Sequence, residues 1–169
     1  MPLASEESRV HIRPATIGDG ARLAEIDRLT RSADVTPAPP AGPDDFLDTD
    51  RVRDTLVAHD GDDVIGYVVV QRSRLCPVDA HIYLINGLAV DPAHQGRRIG
   101  RELVVAAERV ARRRGGRRIT LRVLGANANA RALYTSCGYR IEGVLEGEFL
   151  VDGRYVDDVL MALDLTDAA

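Results

Sequence analysis

Between residues 10 and 15 the stretch VHIRPA alternates apolar and polar side chains, the two-residue period of a strand with one buried face. TIGDGARLAEIDRLTR follows with a helical period, placing Leu23, Ile26, Asp27 and Thr30 on one face. Four prolines and a glycine in SADVTPAPPAGPDD, 32–45, exclude a regular helix or central strand. A loop of this length is either a surface excursion or an element that shapes a substrate site. TLVAHDGDDVIGYVVVQ, 55–71, is two β-rich runs around an Asp-Gly turn and predicts an antiparallel hairpin.

AHIYLINGLAV, 80–90, predicts a further strand, interrupted by Gly87, where a glycine marks a bulge or a close backbone approach. Ile99, Leu103, Ala107, Val110 and Ala111 then define one face of a helix that ends at Gly115 and Gly116. ITLRVL, 119–124, reads as a strand and NARALYTSC as a short helix closed by Gly138. YRIEGVLEGEFLVDGRYVDDVLMALDL reads as a hairpin turning at Asp152 and Gly153. This order of elements predicts a mixed sheet with helices on its faces.

Composition narrows the class. A chain of 169 residues with 45% apolar and 28% charged residues fits one globular domain, and no apolar run reaches the ~20 residues of a membrane span. The first ten residues, MPLASEESRV, lack the apolar core of a signal peptide, and Cys76 and Cys137 are too few for a disulfide framework, so a reducing cytoplasm is expected. The net charge of −4 disfavours a nucleic-acid binder; the basic run RVARRRGGRR, 109–118, sits at a helix end, where cations suit the dipole, without interleaved aromatics. Asp60, Asp62 and Asp63 make a turn rather than a calcium loop, because no liganding glutamate completes the pattern, and no metal is expected.

The chemistry lies in VDPAHQGRRIG, 90–100. A strand feeding a glycine-containing loop into a helix presents free N–H groups and the positive end of a helix dipole to an anion. Gly100 is followed by Arg101 and Glu102 rather than Lys and Ser or Thr, which excludes an ATP-type phosphate loop, and only Gly96 and Gly100 are present, too few for a dinucleotide fingerprint.

The run Gln95-Gly96-Arg97-Arg98-Ile99-Gly100 resembles the Gln/Arg-x-x-Gly-x-Gly/Ala motif of the Gcn5-related N-acetyltransferase (GNAT) superfamily, with Arg98 in place of its first glycine. A second signature of that family, Asn-x-x-Ala-x-x-Leu-Tyr-x-x-x-Gly-aromatic, is matched by Asn127, Ala130, Leu133, Tyr134, Gly138 and Tyr139. The resemblance implies a GNAT domain over 9–165, with flexible tails at 1–8 and 166–169. Its fold would be α/β, a single mixed, mostly antiparallel sheet with a splayed centre and helices on both faces. It also implies acetyl-CoA as co-substrate, with pantetheine on the main chain of Leu88, Ala89 and Val90 and the pyrophosphate on Gln95, Gly96, Arg97, Arg98, Ile99, Gly100 and Arg101. Asn127 and Ala130 complete the cofactor set, and Tyr134 is the implied general acid. From the residues alone, Asn127 and Gly138 are equally well helix caps and Tyr134 an ordinary helix residue.

Where many relatives hold a basic glutamate this chain has Leu84 and Arg122, neither of which accepts a proton at neutral pH. An α-amine, with pKa near ~8, needs less help to become neutral than a lysine, so the missing carboxylates argue for an α-amine acceptor and a water chain. His81, Glu146, Glu148 and Asp157 are the other candidate proton acceptors. The last segment, with Gly153-x-Tyr155-Val156-Asp157, is similar to the bacterial L-amino-acid N-acetyltransferase branch. The implied partner is a small-molecule amine, most simply an amino acid. Polyamines, protein N-termini such as those of ribosomal proteins, and a non-catalytic acetyl-CoA sensor are the alternatives. Sheet edges in this fold often pair, so a homodimer is expected.

Overall fold

In the computed structural model, which describes residues 10–36, 42 and 46–166, seven strands join one sheet. They are β1 (His11–Pro14), β2 (Thr55–Asp60), β3 (Asp63–Arg72), β4 (Ile82–Val90), β5 (Arg118–Leu124), β6 (Arg140–Val151) and β7 (Arg154–Asp164). Their order across the sheet is β1-β2-β3-β4-β5-β7-β6, and every neighbouring pair is antiparallel except β4 and β5. Helices α1 (Gly20–Thr30), α2 (Ile99–Arg113) and α3 (Ala128–Ser136) complete the predicted order of elements, with boundaries moved by one to a few residues.

The sheet is covered on both faces, which is why β3 reads as an almost unbroken apolar run. Val68 and Val70 point to the side of α2 and pack with Leu103, Val104 and Ala107, whereas Tyr67 and Val69 point to the side of α1 and pack with Leu23 and Ile26. Each fully buried aliphatic side chain here contributes about 1.5–3 kcal/mol of transfer free energy. Asp27, on the inner side of α1, is half-buried because the Tyr67 hydroxyl donates to it (2.8 Å) and Arg31 pairs with it (2.6 Å).

The proline-rich loop after α1 lies partly outside the described residues, but its far end is anchored. Phe46, 1% exposed, meets the Tyr67 ring edge-on at 5.1 Å, and the Arg51 guanidinium covers it at 4.6 Å. The periodic patterns do not include this anchor, because a single apolar pair, Phe46-Leu47, in a polar stretch has no period. The predicted tails, 1–8 and 166–169, lie outside the described residues except Thr166.

Candidate active site

β4 and β5 pair only where Ile82–Ile85 face Arg118–Leu121. Beyond that point the two parallel strands part, and Asn86–Val90 and Arg122–Leu124 have no ladder between them. Two local causes are visible. Between Val68 and Val70 the register slips by one residue at Asn86 and Gly87, a bulge that Gly87 permits with φ +143°. Meanwhile β5 stays paired to β7 as far as Leu124 with Asp158, which draws it the other way. Leu88, Ala89 and Val90 remain on β3 by one edge and turn the other toward the opening, where main-chain groups need a partner. The Val90 carbonyl takes one from the Gln95 side-chain amide, at 3.2 Å.

The loop after β4 is built for a sharp entry into α2. Asp91 accepts from the Ala93 N–H (2.8 Å) and is ion-paired with Arg22, which fastens the strand end to α1. Gly96 has φ +82°, and Arg98 has φ +62° and ψ +11°. Arg98 therefore adopts the left-handed conformation that a glycine would take, at a cost of about 1–2 kcal/mol. The backbone at Arg98 is thus one that a glycine, the residue the motif calls for, adopts without steric cost. Arg97 reaches Asp60 of the β2–β3 hairpin (3.0 Å) and Arg101 the Ser136 carbonyl (2.8 Å), whereas the Arg98 side chain has no hydrogen bond or ion pair among the described residues.

Helix α3 brings the second motif to this entry. A β-carbon on Gly100 would stand 3.3 Å from Leu133, so the glycine lets α3 close on the start of α2. Asn127 does act as an N-cap, its side-chain oxygen accepting from the Ala130 N–H at 3.0 Å, and Gly138, at φ +94°, terminates the helix. Tyr134 is 7% exposed and packs edge-on against Tyr139 at 5.6 Å. Burial foremost, then the Cys137 thiol, pushes the Tyr134 hydroxyl above the usual phenol range, so it keeps its proton at neutral pH. No described residue hydrogen-bonds that hydroxyl. Beside it, burial raises Glu108 on α2, and the Tyr139 hydroxyl lies close enough to couple to that carboxyl without meeting good hydrogen-bond geometry.

A parted pair of parallel strands, a tight anion-ready loop and a buried phenol beside it now find their counterpart in known proteins, since residues 23–139 match the acetyltransferase (GNAT) family. The chain belongs to that family. It is 34% identical over 146 residues to the N-alpha-acetyltransferase RimI of Mycobacterium tuberculosis, covering 83% of this chain and 87% of the relative. It is 44% identical over 84 residues to the mycothiol acetyltransferase of Beutenbergia cavernae; that match covers 50% of this chain and only 27% of the relative. Among solved structures, an acetyltransferase from Salmonella typhimurium bound to its cofactor acetyl-CoA superposes with a TM-score of 0.78 at 26% identity, covering 96% of this chain and 97% of that one. A ribosomal-protein-alanine N-acetyltransferase from Brucella melitensis gives 0.75 at 25% identity, covering 91% and 99%.

As a GNAT enzyme the protein is an acetyl-CoA-dependent N-acetyltransferase. The chain fits that co-substrate: the free edge of Leu88–Val90 and the left-handed turns at Gly96 and Arg98 leave main-chain donors along one side of the opening.

The candidate proton acceptors separate clearly. His81 is exposed just ahead of β4, at the end opposite Leu88–Val90, about 25 Å away at ~3.3 Å per residue, too far to serve the same centre. Leu84 lies inside the ladder opposite Thr120. Arg122 pairs with Asp158, which is buried rather than on the solvent side of the hairpin, and approaches Glu148 at 3.9 Å. Asp157 accepts from the Gly147 N–H at 2.9 Å. A cavity of about 440 Å³ opens at the far end of β5, with Asp34, Arg131, Arg154, Tyr155 and Asp157 in its wall. Asp34, from the loop after α1, is a wall residue the sequence patterns did not single out; its only signal was the loop itself. Among the described residues no cluster of histidine, cysteine or acidic side chains could hold a metal, and no helix is long and apolar enough to cross a membrane.

Proposed function

We propose that this enzyme acetylates the α-amino group of an amino acid, with the parted strands β4 and β5 holding acetyl-CoA and the 440 Å³ cavity receiving the acceptor. The observation that carries the reading is the mixed charge of that cavity: Asp34 and Asp157 suit an ammonium, while Arg131 and Arg154 suit a carboxylate. A polyamine would favour a wall of acids alone. A second reading, an α-amine at the N-terminus of a protein, is supported by the likeness to RimI and by the openness of the hairpin side of the cavity, where Tyr155 is 78% exposed.

In the proposed roles, the main chain of Leu88, Ala89 and Val90 bonds pantetheine, and the amides and side chains of Gln95, Gly96, Arg97, Arg98, Ile99, Gly100 and Arg101 hold the pyrophosphate, with Asn127 and Ala130 at its flank. The acceptor enters as the neutral amine and attacks the thioester carbon while the carbon–sulfur bond breaks. Tyr134 gives its proton to the departing sulfur and is recharged by the proton that the nitrogen releases through water. Since Leu84 and Arg122 replace the usual carboxylates, solvent is the base, which an α-amine near pKa ~8 tolerates better than a lysine.

The test is thiol release from acetyl-CoA across a panel of free amino acids, polyamines and short peptides. Turnover confined to free amino acids supports the proposal, and turnover confined to peptides selects the second reading. Acetyl-CoA binding without turnover on any amine would make the protein a sensor and end both. A reducing, cytoplasmic setting is supported by the free thiols, Cys76 being exposed. Dimerisation has a candidate surface in β6, an edge strand exposing Ile141 and Leu150, and sedimentation would check it.

A further inference from the structure

Away from the parted strands, on the other flank of α2, a groove of about 840 Å³ runs between that helix and the edge strand β1. Its floor is apolar, formed by Val10, Ile12, Leu56, Val105 and Val110. Its walls carry seven arginines and, among the described residues, one acid, Glu102. For a chain of net charge −4 this is a concentrated reversal of sign. Some of these cations are already engaged: Arg13 with Asp19, Arg101 with the Ser136 carbonyl, Arg114 with Asp54. Arg53, Arg98 and Arg113 make no side-chain hydrogen bond or ion pair among the described residues, and Arg109 interacts electrostatically with the neighbouring Glu108 without an ion-pair contact. The basic run 109–118 thus divides, with Arg112, Arg114 and Arg118 paired to Glu108, Asp54 and Glu142, and Arg109 and Arg113 facing the groove.

We propose that this groove binds an extended acidic peptide whose alternate side chains are apolar. With Arg98 and Arg101 left to the pyrophosphate, the helix wall from Glu102 to Arg113 is still about 16 Å long, which matches about five residues of extended chain and is too long for one small anion. An extended peptide presents side chains alternately to opposite sides, so one set lies on the valine and leucine floor while the other meets the arginines. Nucleic acid fits less well, because the lining offers the single ring of His11 and no run of aromatic side chains on which successive bases could stack. A lipid surface fits less well, because the apolar residues form the floor of a concavity and cannot reach into a bilayer. The groove shares no residue with the 440 Å³ acceptor cavity, but its near end, Arg98 and Arg101, is shared with the proposed pyrophosphate loop, so peptide binding is measured with acetyl-CoA at saturation and rests on the arginines beyond that loop.

The test uses fluorescence anisotropy with three labelled probes of equal length at low salt: a peptide of alternating glutamate and leucine, one of alternating glutamate and serine, and a single-stranded DNA. The expected result is saturable binding of the glutamate–leucine peptide, at least tenfold weaker for the glutamate–serine peptide and for the DNA. Binding of the first probe should fall at least tenfold in an Arg109→Glu/Arg113→Glu double variant, whose side chains hold no internal ion pair. It should also fall in Val105→Ser, which removes apolar floor without adding or removing a charge. Acetyl transfer to free amines should be unchanged in the double variant. Equal binding of both peptides, tighter binding of the DNA, or full affinity in a folded double variant would overturn the proposal.

Discussion

Arg122 of β5 and Asp158 of β7 form an ion pair across the sheet in which the carboxylate is buried, 1% exposed, and the guanidinium remains half open to solvent. Arg122 occupies the place where the family resemblance calls for a glutamate, so a structural pair stands where relatives keep a base. Arg122→Leu retains the apolar stem and leaves Asp158 buried without its counter-charge. A loss of about 2 kcal/mol in urea unfolding is expected, less than for a fully buried pair because Arg122 touches water. Adding Asp158→Leu to that variant should recover much of the loss.

Asp19 and Arg13 make a second testable pair. Two charge-assisted bonds from Arg13 (2.8 and 2.9 Å) foremost, with further bonds from the Thr16 N–H and hydroxyl, hold the Asp19 carboxyl down to about 2. Folding lowers this pKa, so its stabilisation is present above about pH 4 and is lost as pH falls toward 2. The contribution is about 1–2 kcal/mol, since Arg13 is partly exposed. In Arg13→Ala, carboxyl NMR should show Asp19 titrating nearer the ordinary aspartate range, and the acid limb of the stability curve should flatten.

Arg98→Gly should keep the loop and remove the strain of a left-handed arginine. A rise of about 0.5–1 kcal/mol in the stability of the ligand-free protein is expected, the relief being partly offset by the greater freedom of glycine in the unfolded chain. Arg98→Val, with a β-branched side chain in the same turn, should destabilise. Thermal unfolding of the two variants decides the sign.

Tyr134→Phe should lower kcat for acetyl transfer about 100-fold, the scale of losing one positioned acid. Calorimetric affinity for acetyl-CoA should stay within a few-fold, because the ring and its edge-on contact with Tyr139 remain. Equal kcat in the two proteins would remove Tyr134 as the acid.

The strands and helices were legible because their periods are strong: Leu103, Ala107, Val110 and Ala111 share a face on a helix, and Asp60-Gly61 and Asp152-Gly153, each flanked by β-rich runs, close hairpins. Gly87 announced its bulge for a similar reason, being a residue without a β-carbon where a strand must kink. Phe46, Asp34 and Asp158 were not legible in their actual roles. Phe46 is placed by Tyr67 and Asp158 by Arg122, and Asp34 lines a cavity together with Asp157, all residues far apart in the chain.

The sequence by itself determined the order of elements, the family and the two motifs around Gln95 and Tyr134, because these depend on local backbone preference and on residues close along the chain. Only the tertiary structure decided that β4 and β5 part after Ile85, that His81 lies at the wrong end of its strand, and that Arg109 and Arg113 face a groove while Arg112 and Arg114 are neutralised. Those outcomes depend on contacts between residues far apart in the chain, whose energies exist only once the sheet has brought them together.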